Sequence, residues 1–535
     1  MLRGVKSPHS NYKNWLSILL LLLAIFGGVV ILVVTRWGIG ASPDSVYYLG
    51  AAQNISAGRW FSLPSTDGTF NPITRWPPFY SWVLAILSQT GLGIHSAARW
   101  LNALLTAANI LLLGVILFPY VKRGSAAAVV ILGGGLLMLV SPTFLEIHLM
   151  AWSEPLFIFL GISGLWVLGS YLDGNRFFAM LLAALLVGLA FLTRFAGAAL
   201  VATGMVGLLL FTGTRWLRRI SYTLIFGFVC SLPILVWVVS NFRAKGEVTS
   251  REFNFHPIGV AHLKSVVNTF SSWLLISENA PGLLKLGSIL CVLLAFGSIY
   301  YVTKQRSSDS EWERRFLGVS GIPGFIKLFA LFIPTYLGFL FVSISLFDAN
   351  TPLDARILSP VFVTGMVLFL GWLLIWWQTP ESSKGLKILI WIVGSILFIG
   401  YLVQGIGPLS NAYREGIGFN SLAWRHSATI AELNTFPPEV LLYTNMPEAI
   451  LLHTGRAVNG FPTKFFSSDQ MVNENYLAEL EGMEKTLRER GGYIIYFNRL
   501  NSPALPSEKE LNELLALRLL DQFEDGAIYQ SAQAR

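Results

Sequence analysis

Residues 15–48 read WLSILLLLLAIFGGVVILVVTRWGIGASPDSVYY, and this stretch decides what kind of protein the chain is. From Trp15 to Thr35 it is almost unbroken apolar sequence, about the 20 residues a helix needs to cross a hydrocarbon core. Arg36 and Trp37 follow, a cation and an amphipathic ring of the kind that anchors a span at the interface. The run exceeds the 7–15-residue apolar core of a signal peptide. The small residues Gly40, Ala41 and Ser42 would suit cleavage, but the length favours an uncleaved first span. Ser42-Pro43-Asp44 then reads as the start of a second helix just outside the membrane, with a capping hydroxyl, a proline at the first position and an acid at the positive end.

The same alternation of apolar run and short polar break continues to residue 407. Ten further runs lie at roughly 96–119, 124–142, 153–171, 177–194, 195–212, 217–240, 283–303, 323–347, 357–377 and 387–407, which makes eleven expected spans. Runs 177–194 and 195–212 abut, with only Arg194 and Gly197 marking the join. Pro77 to Gly91 is apolar but short and is expected to lie along the interface. The composition agrees: 54% of the 535 residues are apolar and 13% charged, against about 25% charged in soluble domains. An ordinary soluble enzyme and a nucleic-acid-binding module are excluded, because the net charge of +8 resides in short breaks between apolar runs and forms no basic surface. Cys230 and Cys291 both fall inside apolar runs, so no disulfide framework is expected.

Placing the N-terminus in the cytoplasm puts fifteen Lys and Arg in the inner breaks and nine in the outer ones before residue 408. Three polar stretches then face outward: 36–95, 241–282 and everything after 407. The last is richer in charge and alternates short strands (441–444, 493–497, 527–530) with helices (447–454, 473–490, 507–519). It reads as a small extracytoplasmic α/β domain, 408–535, appended to a mainly α transmembrane bundle, 1–407.

Ionisable groups at span ends are costly and therefore informative. Asp44 has a purely structural reading as a helix-start acid. It also suits a general base that takes a proton from a hydroxyl, with Tyr47 and Tyr48 on its helical face to line an acceptor groove. Glu154, in Trp152-Ser153-Glu154-Pro155, has the same two readings. Glu146 and His148 share its outer loop and would suit a divalent metal. Arg194, Arg243, Lys245, Arg251 and Arg356 all lie at outer ends, where positive charge is normally depleted. An anionic lipid head group explains them, because arginine grips phosphate through paired hydrogen bonds.

At these residues the chain resembles the polytopic GT-C glycosyltransferases, above all bacterial relatives of the protein mannosyltransferases and the lipid A aminoarabinose transferase (family 39-like). The resemblance is carried by Asp44 with Tyr47 or Tyr48, the small-residue helix ending at Gly58, and Trp76-Pro77-Pro78-Phe79-Tyr80. It continues through Ser153-Glu154-Pro155-Leu156, Leu192-Thr193-Arg194 and Asp354-Ala355-Arg356-Ile357-Leu358-Ser359-Pro360, and in the tail through Tyr443–Glu448 and His453–Arg456. It implies a sugar moved from a polyprenyl-phosphate donor to an acceptor hydroxyl on the outer face. Asp44 would be the base, Glu154 would shape the acceptor or metal site, and Arg356 would hold the donor phosphate, assisted by Arg194 and Arg243. Ser45 stands where many members have a second acid, Glu154 replaces the commoner Asp, and Ile357 replaces an aromatic. These departures count against protein mannosylation in particular. A transporter or flippase of an anionic lipid-linked substrate is the competing expectation. It lacks the mid-membrane ionisable residues that coupling requires. An assembly protein with a ligand-binding tail is the third.

Overall fold

The computed structural model describes residues 8–121, 128–247, 249, 253–306, 322–378, 383–465, 471–499 and 502–531. Of the loop cations used above, Arg3, Lys6, Lys122, Arg123, Arg251, Arg314 and Arg315 lie outside the described residues.

Within the described residues every apolar run is helical. The helices are α1 (Pro8–Val34), α2 (Pro43–Ser56), α3 (Phe79–Ser88), α4 (Ile94–Leu117), α5 (Gly133–Val140), α6 (Pro142–Leu149), α7 (Glu154–Gly174) and α8 (Phe177–Thr193). They continue with α9 (Gly197–Phe211), α10 (Trp216–Lys245), α11 (Val260–Ser272), α12 (Gly282–Arg306), α13 (Gly324–Leu346), α14 (Ser359–Trp377) and α15 (Lys384–Glu415). Among the described residues seven are long and apolar enough to cross a membrane, and eight if the pair 128–140 and 142–149, bent by 58°, counts as one span. The expected eleven are not reached by length and composition. The difference lies in α8 and α9, which are shorter, and in α12, a helix of 25 residues whose apolar part among the described residues is Gly282–Leu294. For α8 and α9 the reason is local: the chain leaves the helix at Arg194, whose backbone is extended (φ −150°, ψ 140°).

Burial separates centre from rim. The most apolar window of α14 is 78% buried, whereas that of α15 is 6% buried and that of α10 28%. Ile388, Trp391, Ile392, Ile396 and Ile399 stand exposed along α15. A helix that is apolar all round with one side uncovered by protein suits hydrocarbon as its solvent.

The stretch expected to face outward first is built on α2 and a small antiparallel hairpin, β1 (Ser62–Pro64) with β2 (Phe70–Pro72), followed by α3, a helix of 10 residues within the segment expected at the interface. The tail begins later than the composition implies, because α15 runs through Pro408 to Glu415. Two short helices follow, α16 (Leu422–Arg425) and α17 (Ala428–Leu433). Next come β3 (Leu442–Thr444), α18 (Pro447–Thr454), β4 (Asn459–Gly460), α19 (Tyr476–Arg490), β5 (Tyr493–Phe497), α20 (Glu508–Leu514), β6 (Leu517–Gln522) and β7 (Gly526–Ser531). The strands form one mixed sheet in the order β4-β3-β5-β7-β6, parallel from β4 to β5 and antiparallel beyond. The helix expected over 507–519 ends at Leu514, and 517–522 is an edge strand. Its side chains are mostly exposed, so it carries no inward-outward alternation to read.

Tail and bundle are stitched together at Gly40 and Ala41. Gly40 pairs with the chain before α7 (Gly40 N–H to Leu149 O 2.9 Å, Ala151 N–H to Gly40 O 2.8 Å). Ala41 pairs with the start of the tail (Phe419 N–H to Ala41 O 2.8 Å). Gly418 makes this approach possible: at φ +59° a Cβ there would lie 2.0 Å from the Ala41 carbonyl oxygen. The helix that begins at Pro43 is thus held on both flanks.

Candidate functional site

Asp44 lies in the first turn of α2. Before it, the Ser42 hydroxyl accepts from the Trp152 indole (2.8 Å) and the Ser42 N–H donates to Ser45 Oγ (3.1 Å). The Asp44 carboxylate is drawn to a residue 312 positions away: Arg356 Nη2 donates to Asp44 Oδ2 at 2.7 Å. The same guanidinium donates through Nε to Glu154 Oε1 at 2.6 Å and lies 4.0 Å over the Trp152 ring.

Glu154 is the buried anchor, 1% exposed. Its Oε1 also meets Arg194 Nη1 at 2.7 Å, so two arginines share one carboxylate oxygen. Its Oε2 is buried and accepts from no donor among the described residues. Arg194 donates as well to Ser153 Oγ (3.1 Å), which lies 3.2 Å from the Tyr48 hydroxyl. Ser153 therefore orients an arginine and does not cap α7. Burial alone would lower the pKa of Arg356, but Glu154 and Asp44 outweigh it and hold the guanidinium above its ordinary range, permanently charged.

The loop carrying Arg356 is fixed from several sides. Ile357 N–H donates to Asp354 Oδ1 (2.9 Å), Ser359 Oγ to Arg356 O (2.7 Å) and the Tyr336 hydroxyl to Ile357 O (2.8 Å). Helix α11, in the second outward stretch, donates to the Leu353 carbonyl from Thr269 (2.8 Å) and Ser265 (3.1 Å). Between α11 and this loop lies a cavity of 490 Å³ lined by Lys264, Asn268, Glu146, Glu278, Asp354 and Arg356, among others. Arg356 stands between this cavity and Asp44.

The remaining expected residues divide. Tyr47 is half-exposed and stacks on Trp76 (ring centroids 4.5 Å, 31°). Tyr48 is 3% exposed, packs edge-on against Tyr80 (5.3 Å), and has its hydroxyl pKa pushed up to about 12 by burial. It supports Ser153 and lines no groove, because two adjacent helical positions lie about 100° apart. Arg243 is exposed in the last turn of α10 and takes no part in the cluster. Glu146 and His148 do not fit a joint metal site. Two residues apart on α6, they point to different faces. Both ring nitrogens of the buried His148 lie against neighbours, Nδ1 at 2.7 Å from Phe144 O and Nε2 at 3.3 Å from Asn109 Nδ2. Among the described residues no group of three His, Cys, Asp or Glu side chains is placed to hold an ion. Sequence reasoning did not single out Lys264, which lines the cavity. Its only signal is a cation in an outward stretch, shared with eight others.

No family model matches the sequence, and neither does any curated protein. Solved structures do match the fold. The structure of ArnT from Cupriavidus metallidurans bound to undecaprenyl phosphate superposes with a TM-score of 0.54 at 14% identity, over 96% of this chain and 98% of that one. Its apo form gives 0.56 at 14% identity, over 96% and 97%. The arabinofuranosyltransferase AftD from Mycobacteria gives 0.51 at 14% identity, over 98% of this chain but 40% of AftD. The chain therefore shares its fold, over nearly its whole length, with ArnT.

Proposed function

We propose that the chain is a multi-pass membrane glycosyltransferase that moves a sugar from a polyprenyl-phosphate donor to an acceptor hydroxyl on the outer face, with its N-terminus cytoplasmic and its tail extracytoplasmic. One observation carries this reading: a single guanidinium, Arg356, joins Asp44 and Glu154 beside a polar cavity of 490 Å³. In a membrane protein such a group of charges is costly unless it works.

The residues divide the chemistry as follows. The donor head group occupies the cavity, its phosphate held by Arg356 and Lys264 with Arg194 in reserve behind Glu154. The acceptor oxygen attacks the anomeric carbon while the bond from that carbon to the phosphate oxygen breaks, which inverts the centre. Asp44 takes the acceptor proton. The charge developing on the departing polyprenyl phosphate is stabilised by Arg356, already in place and partly desolvated. Without donor, Arg356 neutralises Asp44. Phosphate competes for the same guanidinium, so donor binding frees the base. No ionisable residue needs to sit at mid-membrane, as a transporter would require.

The test is transfer from radiolabelled polyprenyl-phosphate sugars by purified protein, with Asp44→Asn beside wild type. General-base catalysis is worth about 10²–10⁴-fold. Loss of transfer by that factor, with carrier binding and folding retained, is the expected result. Full activity in Asp44→Asn would remove it as the base, and uptake of labelled solute into vesicles without transfer would replace the whole reading.

A further inference from the structure

The acceptor side of Asp44 is not made by the bundle alone. Helix α18 of the tail packs against α2, and Leu451 on its inner face joins the apolar cluster that contains Tyr47 and Trp76. Glu448 stands one turn earlier on the same face of α18, in its first turn, which directs it to the seam near Asp44. Its surroundings agree. Burial and then nearby Asp44 push the Glu448 carboxyl above its usual range, and around Tyr47, raised mainly by burial, Glu448 and Asp44 raise the hydroxyl while Arg75 lowers it. The Tyr47–Trp76 pair keeps part of its surface open, and Arg75, 5.6 Å from the Trp76 ring centroid, is engaged with Asp348 at 3.7 Å.

We propose that Glu448 is an acceptor-binding residue supplied by the tail, and that the acceptor is a neutral, hydroxyl-rich sugar ring lying on the Tyr47–Trp76 pair. The inference rests on the transferase reading above and adds to it the acceptor class. The chemistry is specific. An aromatic pair offers an apolar, rigid platform for the C–H face of a ring. Two carboxylates, Asp44 and Glu448, offer only acceptors, which suit hydroxyl donors. The same two carboxylates repel an acceptor that carries its own negative charge. A phosphate- or carboxylate-bearing acceptor is disfavoured on this side, whereas the donor phosphate has its cations across Arg356.

The test uses full-length enzyme in lipid nanodiscs, the donor that supports turnover, and a set of p-nitrophenyl glycosides of glucose, mannose and arabinose together with the β-glucuronide. Transfer to at least one neutral glycoside is expected, with the glucuronide at least about tenfold poorer in kcat/KM. Glu448→Gln keeps the shape of the side chain. It should raise the acceptor KM about tenfold, much more than it changes kcat, and shrink the discrimination against the glucuronide. Glu489→Gln, on the exposed face of α19, serves as the control for loss of a tail carboxylate and should change neither quantity. Donor turnover without transfer to any neutral glycoside would overturn the acceptor class. An unchanged acceptor KM in Glu448→Gln would overturn the role of Glu448. Absence of donor turnover in wild type would instead sink the transferase reading, and this inference with it.

Discussion

Replacing Glu154 by Gln tests whether the charge cluster is an integrated unit. The substitution keeps size and shape and removes one negative charge from a side chain that is 1% exposed, between two guanidinium groups whose side chains are 16% and 18% exposed. Breaking a buried ion pair from one side costs about 3–5 kcal/mol, because the remaining charge is left uncompensated. Here two cations are left, with Asp44 as the remaining carboxylate partner of Arg356. The loss should fall at the upper end of that range and appear in reversible detergent unfolding of the purified protein. Removing Arg194 as well, in Glu154→Gln/Arg194→Gln, takes away the excess cation. The double variant should therefore be more stable than Glu154→Gln alone, with a coupling energy of about 1–3 kcal/mol in the cycle. Activity should follow a different rule. With Glu154 neutral, Arg356 loses its second anchor and pairs more tightly with Asp44, so kcat falls in both variants. Wild-type stability in Glu154→Gln, or additive effects in the double variant, would show that water already solvates these charges and would refute the reasoning.

Other outcomes follow from the same geometry. Gly418→Ala adds a Cβ that would lie 2.0 Å from the Ala41 carbonyl, at φ +59°, so it should lower the unfolding temperature and reduce transfer by displacing Asp44. Wild-type activity with wild-type stability would show that the bridge is not needed. Tyr48→Phe removes a hydroxyl that touches Ser153 and should cost about 1 kcal/mol of stability with little effect on acceptor KM. Tyr47→Ala should raise that KM, and equal effects from the two would return Tyr48 to the acceptor groove. Glu448 has a folded-state pKa above its unfolded value. The folded state thus holds the proton more tightly, and the associated stability is present below the ordinary carboxylate range and lost as pH rises through the raised value. Tail docking, followed by limited proteolysis, should loosen as pH rises in wild type more than in Glu448→Gln. A parallel pH response in the two would place the dependence elsewhere.

Much of the site is legible in the sequence for one reason: a charge at the end of an apolar run is expensive, so Asp44, Glu154, Arg194 and Arg356 stand out against their surroundings. The structure brings these four together. What the sequence withholds is rotation about helix axes and the reach of loops. Arg243 has the same signature as Arg194, yet it lies in the last turn of a rim helix while Arg194 interrupts two helices and turns inward. Tyr47 and Tyr48 differ only by one helical step, and one lies half-exposed against Trp76 while the other is buried. Lys264 and Glu448 belong to polar segments, where a charge attracts no notice. The tail strand at 517–522 escapes because an exposed edge imposes no alternation.

The seam at Gly40 and Ala41 also bears on how the molecule is made. Ile39 accepts a hydrogen bond from Asn420, 381 residues later in the chain. At typical synthesis rates of roughly 5–20 residues per second, the ribosome needs about 20–80 seconds to cover that distance. During that interval the helix bearing Asp44 has one of its two flanking partners missing. A nascent or truncated chain can insert most of its spans and still hold Asp44 by one flank alone. Arrival of residues 418–420 then closes the second flank, so the setting of Asp44 is completed only after the whole helical bundle before it has been made.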